Sequence, residues 1–216
     1  MCELNGFPFW YSALVTVYPA DAKDIVIGET KWALLEGNQP NIGSYPFHDL
    51  AYHGSFLWPL IAPELLELVK SPVKIPLELL NYVFRILIGS QVINECAIIE
   101  MIKANIKKGN SDDQAAFWVT QFISFDPESG ITEFRKRTKG LKNNSEKSQL
   151  VQKVISGFPI GRYNENVSGE NFKNPKILGE LYQIAHEFIR VEEDIERAGK
   201  GVYSPVLRYH AQDARS

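Results

Sequence analysis

Residues 53–108 read HGSFLWPLIAPELLELVKSPVKIPLELLNYVFRILIGSQVINECAIIEMIKANIKK. Apolar residues recur at three- and four-residue steps almost throughout, which is the pattern of helices buried along one face. The breaks fall at proline and glycine. Ala62-Pro63-Glu64 opens a first helix, because proline is tolerated in the first turn and an acidic residue suits the positive end of the helix dipole. Ser71-Pro72 stops it. Ile75-Pro76-Leu77-Glu78 opens a second helix carrying Leu79, Leu80, Val83, Phe84, Leu87 and Ile88. Gly89-Ser90 separates it from a third, with Ser90 as cap and Val92, Ile93, Cys96, Ile99, Ile102 and Ile106 as its apolar side. Gly109 closes that helix behind Lys107 and Lys108. Cys96 reads as an inert core residue on this face. Arg85, Gln91, Asn94, Glu95 and Glu100 interrupt every window long enough to span a bilayer, where each charge costs roughly 2.5 kcal/mol or more.

Helices joined by such short turns pack on their chain neighbours, often as antiparallel pairs, and stacked pairs build an α-solenoid. The run His53-Gly54-Ser55, then Pro63-Glu64-Leu65-Leu66-Glu67-Leu68-Val69, then Leu79-Leu80 through Ile86-Leu87-Ile88-Gly89, resembles the opening helices of small bacterial HEAT-repeat-like proteins. The resemblance implies a mainly α fold of stacked antiparallel helix pairs, an irregular solenoid or helical bundle. It also implies a repeat-built binding protein, in some bacterial settings an immunity protein that neutralises a toxin. It brings no catalytic residues with it.

The chain has 216 residues, 44% hydrophobic and 23% charged, which suits one soluble helical domain over 1–216 with a sizeable core. A net charge of −3 and a pI near 5.9 argue against a general nucleic-acid binder. Two cysteines give no disulfide framework. The N-terminus lacks the pattern of a secretory signal, so the expected compartment is the cytoplasm.

Outward from the central helices, residues 1–20 form an aromatic segment with Phe7, Phe9, Trp10, Tyr11 and Tyr18. Residues 12–18 read equally as a short strand or a buried helix. Residues 22–36 read as a helix with Ile25, Ile27 or Gly28, Trp32 and Leu35 on its apolar face. The same segment resembles the metal-site strand of the PD-(D/E)xK nucleases. There a Glu holds Mg²⁺ and a Lys two residues on, along the same strand face, supports the attacking water. The matching residues are Glu29 and Lys31, with Asp24 as the second carboxylate, though too close in sequence for a comfortable hairpin. Residues 37–55 read as a long connection. Within it His48, Asp49 and His53 fall short of a credible metal site, which needs one more convergent ligand.

Beyond residue 109 the pattern predicts a helix to about Phe125, ended by Asp126-Pro127. A basic run follows, Arg135 to Lys147, read as a solvated helix face or loop and without the interleaved aromatics that single-strand binding needs. A short amphipathic helix spans 146–158, and a polar loop 159–173. The last helix, from Pro175 to Ala198, carries Ile177, Leu178, Leu181, Ile184 and Phe188 on one stripe and acidic residues elsewhere. Its His186-Glu187 fails the HExxH pattern, since residue 190 is Arg. Residues 200–216 read as a mobile tail.

No complete catalytic set emerges, and no cofactor or metal is expected. The leading expectation is a non-enzymatic protein-binding module, most concretely an immunity or inhibitor protein that holds a basic toxin or effector. Tyr45, Phe47, Tyr52 and Tyr163 are the candidate aromatic anchors, and Glu187, Glu193 and Asp194 the acidic contacts. The alternative is a metal-dependent nuclease using Asp24, Glu29 and Lys31.

Overall fold

A computed structural model describes residues 6–35, 44–71, 75–107, 112–159 and 169–189. They are mainly α-helical, with no strand among them. The chain divides into two compact units, Met1–Asn105 and Ile106–Ser216, each described by itself. No helix among the described residues is long and apolar enough to cross a membrane.

The first unit holds α1 (Tyr11–Val17), α2 (Pro19–Leu35), α3 (Ser44–His53), α4 (Trp58–Lys70), α5 (Leu77–Gly89) and nearly all of α6 (Glu95–Ile106). The substantial contacts among α1 to α5 join only nearest or next-nearest helices in chain order: α1 with α2, α2 with α3 and α4, α3 with α5, and α4 with α5. The helices predicted within residues 53–108 are all present. Their apolar sides converge on Ile61, Leu65, Leu80, Val83, Phe84 and Leu87, all at or near zero exposure. Trp58 ties three of them together. Its Nε1–H donates to the Leu50 carbonyl at 2.7 Å, near the end of α3. Its ring lies where a Cβ on Gly89 of α5 would stand, so only glycine fits. Asn105 of α6 is buried and donates to the Val69 carbonyl at 3.1 Å, satisfying an acceptor that the last turn of α4 leaves open. Lys23 of α2 pairs with Glu64 of α4. The hydrogen bond to Glu64, then its charge, raise the Lys23 pKa above the ordinary 10.5. Whatever stability the pair gives is therefore present below 10.5 and fades as pH rises through the higher folded value.

Several expectations are corrected here. The short N-terminal β-strand is a helix, α1, which leads directly into α2. The Tyr18 amide still bonds the Leu14 carbonyl at 2.8 Å, and the Ala22 amide bonds Tyr18 at 3.1 Å. In α2 the buried side is Ala22, Ile27, Thr30, Ala33 and Leu34, while Ile25 and Trp32 face out at 62% and 46% exposure. The buried side mixes Ile27 and Leu34 with small residues, so α2 lies close to its neighbours while Trp32 stays outside. The long connection over 37–55 ends at Ser44, where α3 begins. Pro63 lies inside α4 instead of opening it; Pro59 takes the early position. Ser90 closes α5, donating to the Leu87 carbonyl at 2.8 Å. Gln91 adopts a φ of 59°, and Asn94 caps α6 by accepting from the Ala97 amide at 2.8 Å. Starting α6 at Glu95 turns Ile98, Met101 and Ile102 inward and leaves Cys96 exposed, not in the core. Gly109 lies outside the described residues.

The second unit holds α7 (Asp112–Phe125), α8 (Pro127–Gly140), α9 (Asn144–Ser156) and α10 (Pro175–Phe188), with a short 3-10 turn at Asn171–Lys173. Asp126, Asn143 and Asn174 cap the last three helices through side-chain oxygens. Helix α7 is the axis of this unit and is buried on every side from Trp118 to Phe125. Around it gather Phe134 of α8, Val151 and Val154 of α9, Phe158, Phe172, and Ile177, Leu181 and Ile184 of α10. Gly130 sets the α7–α8 crossing: a Cβ there would stand 2.6 Å from Ile123 Cα. On α10 the buried stripe is Ile177, Leu181, Ile184 and Ala185, with Leu178 half out. The acidic continuation through 190–198, and the tail, lie outside the described residues.

Two glycines in this unit give opposite expectations. Gly130→Ala should destabilise by about 1–3 kcal/mol, because backbone blocks the added methyl. Gly179→Ala, in α10 with nothing within 4 Å, should stabilise by about 0.5–1 kcal/mol. Urea unfolding of both variants checks the pair. Cys96 should react with a thiol reagent in the native protein, and Cys96→Ser should lose one equivalent of that reaction, leaving only what Cys2 contributes.

Candidate partner-binding surface

The seven sequence candidates for partner contact separate sharply. Phe47 is 1% exposed and belongs to the core, so it is removed as a contact. Five positions on α3 separate Phe47 from Tyr52, a rotation of about 140° around a helix. Phe47, Leu50 and Ala51 therefore turn inward, while His48 and Tyr52 turn out. The Tyr45 side chain, Tyr163, Glu193 and Asp194 lie outside the described residues. Glu187 of α10 is exposed, with Arg135 Nη1 3.9 Å away.

Tyr52 is the surviving aromatic, and it sits in a cluster. The packing of α3 on α5 brings His48 and Tyr52 against Tyr82 and Arg85. The His48 ring lies 4.7 Å from Tyr52 and 6.0 Å from Tyr82. The Arg85 guanidinium carbon stands 4.3 Å over the Tyr52 ring, a cation–π contact that holds the phenol in place. A second aromatic group adjoins it. Phe7 stacks on Tyr11 at 5.3 Å and meets Phe56 edge-on at 5.6 Å. Between the groups is an open cavity of about 430 Å³, lined chiefly by Gly6, Phe7, Phe9, Tyr52, His53 and Phe56. Gly6 has a φ of 90° and lies on the His53 ring, where a Cβ would come within 3.0 Å of Cγ. Phe9 stands at the rim, 95% exposed. Aromatic rings line it, yet its exposed surface is more polar than apolar, with Ser12, Tyr52 and His53 among the lining residues. Such an open, mixed cavity suits a side chain that brings hydrogen-bonding atoms together with some apolar surface. Tyrosine and arginine, with tryptophan, are the residues enriched where binding energy concentrates at protein interfaces. The sequence signal for this site was the aromatic density of residues 1–20, which could not show that Phe7 meets Phe56.

The metal readings lose their geometry. Glu29 and Lys31 lie on helix α2, two positions and about 200° apart, not on one face of a strand. His48 Nδ1 is 3.4 Å from Asp49 Oδ1, and the His48 and His53 rings are 6.4 Å apart. No group of three or more His, Cys, Asp or Glu side chains among the described residues converges to hold a metal ion.

Three cations of the basic run, Arg135, Lys136 and Arg137, meet carboxylates within the second unit. On α8, Arg137 and Lys136 both reach Glu133, at 2.9 and 3.7 Å. Arg137 also donates to the Ile106 carbonyl. A groove of about 380 Å³ lies beside it, with Arg137, Lys153, Asp112 and Glu146 around Ala115, Leu141 and Leu150. Its charges alternate, and Lys153 pairs with Asp113 at 2.6 Å.

Comparison with protein-family models, with curated proteins and with solved structures finds no match to this chain.

The helical setting of Glu29 and Lys31 gives a direct expectation. Millimolar Mg²⁺ or Mn²⁺ should leave the melting temperature unshifted, and Glu29→Ala should not alter that response. A metal-dependent rise in Tm lost in the variant would restore the nuclease reading.

Proposed function

We propose that this chain is a non-enzymatic protein-binding module, in its most concrete form an immunity or inhibitor protein that holds a partner protein through its helical surface. The observation that carries this reading is the aromatic cavity between α1 and α3. It is concave, rimmed by the exposed Phe9, and backed by Tyr52, Tyr82 and Arg85. Residues of these types fix a partner's side chain with little loss of rotamer freedom, and their neighbours exclude water around it. The order of helix contacts supports the solenoid form of the reading. Within each unit α-helices meet their first and second neighbours along the chain, as the helices of a HEAT-like repeat protein do. A cytoplasmic location and a basic toxin or effector as partner belong to the same proposal. The negative net charge suits such a partner by steering its approach.

The test starts with a tagged chain used to capture proteins from its native host, read by mass spectrometry. A single stoichiometric partner is expected. Tyr52→Ala and Phe56→Ala should each weaken binding to it by about 2 kcal/mol, roughly thirtyfold, while helical content stays unchanged by circular dichroism. Glu187→Ala should change mainly the association rate and its salt dependence. Unchanged affinity in both aromatic variants would remove the cavity from the interface.

A further inference from the structure

A different surface carries a second inference, one that does not rest on the cavity. Most of the exposed large hydrophobic side chains lie between residues 9 and 32. On α1 and its two caps, Trp10, Leu14, Val17 and Tyr18 are exposed along one stripe, while Val15 is buried. On α2, Ile25, Gly28 and Trp32 follow at steps of three and four on the side away from the buried Ile27, Thr30 and Leu34. The six large side chains, 40–65% exposed, offer roughly 600 Å² at ~200 Å² for a large aromatic residue, against ~800 Å² per partner in a standard stable interface. Gly28 sits between Ile25 and Trp32 with nothing within 4 Å of where its Cβ would stand, so another backbone can come close there.

The charges along this stripe name the occupant. Asp24 and Lys31 lie on the same edge of α2, seven residues and about two turns apart. Among the described residues neither forms an ion pair within the chain. An antiparallel copy of α2, related by a two-fold axis beside Gly28, sets Lys31 of each copy opposite Asp24 of the other. It also sets Ile25 of each between Gly28 and Trp32 of the other. One edge of mixed sign therefore complements itself, which is the requirement of an isologous interface. We infer that the α1–α2 face pairs with a second copy of this chain, as an antiparallel helix pair whose two-fold axis passes between positions 27 and 28.

Sedimentation equilibrium of the full-length chain tests this. The expected result is a dimer dissociating in the micromolar range. Ile25→Lys, at an exposed position, should leave the helical circular dichroism intact and weaken the dimer at least a hundredfold. Lys31→Asp and Asp24→Lys should each weaken it about tenfold, and the double swap should restore it to within about twofold of the parent. A chain that is monomeric at all concentrations would overturn the inference. So would a dimer indifferent to Ile25→Lys, or a double swap no better than either single change.

Discussion

The indole of Trp58 is the fixed point of the first unit. Its N–H is satisfied by the carbonyl of Leu50 near the end of α3, and its ring occupies the space beside Gly89 in the last turn of α5. The connection that delivers it is equally constrained. A Cβ at Gly54 would meet the Leu50 carbonyl oxygen at 2.8 Å, so glycine lets the chain leave α3 closely enough for Trp58 to reach back. One large aromatic and two glycines thereby set the spacing of α3, α4 and α5. That spacing is also what brings His48 and Tyr52 of α3 against Tyr82 and Arg85 of α5. The second unit uses the same device with different residues. There Gly130 lets α8 lie on the backbone of α7, and α7 is buried on all sides from Trp118 onward.

The helical character of this chain was readable because most of its helices bury large apolar residues at period 3.6. The boundaries were less readable, for reasons of local chemistry. Pro59 and Pro63 are both acceptable near a helix start, and the apolar run alone cannot choose between them. Ser90 and Asn94 are both good caps, but α6 starts at Glu95, so Asn94 is the one placed to accept from the Ala97 amide. Helix α3 was hidden by its composition, since SYPFHDLAYH has a proline near its start and few aliphatic residues. Helix α2 was recognised as a helix, but its face was only partly placed. Ile27 is buried as one of the alternatives had it, whereas Ile25 and Trp32 are exposed and Ala22, Thr30, Ala33 and Leu34 turn inward.

The candidate site was legible only in part. Tyr52 was found because an aromatic residue in a polar stretch stands out, while Phe47 was misjudged because the stretch was taken for a loop. Once α3 is a helix, its phase decides both residues. The cavity itself depends on Phe7, Phe56 and the left-handed Gly6, and nothing in a linear sequence joins residue 7 to residue 56. The charged stretches were easier to discount. On α8, Lys136 and Arg137 stand three and four residues from Glu133 and share its one carboxylate, which offsets a single charge of the run.

Helix α1 links the two surfaces of the first unit. Its inner edge, Tyr11 and Val15, supports the cavity, because Tyr11 stacks on Phe7 and meets Phe56 at 6.1 Å. Its outer edge, with Trp10, Leu14, Val17 and Tyr18, belongs to the exposed stripe. A seven-residue helix is far below the length at which helices are stable alone in water, so α1 owes its order to what it packs against. That packing has two sides: the inner edge rests on Phe7 and Phe56, while the carbonyl of Leu14 accepts from the Tyr18 amide and carries the helical bonding on toward α2.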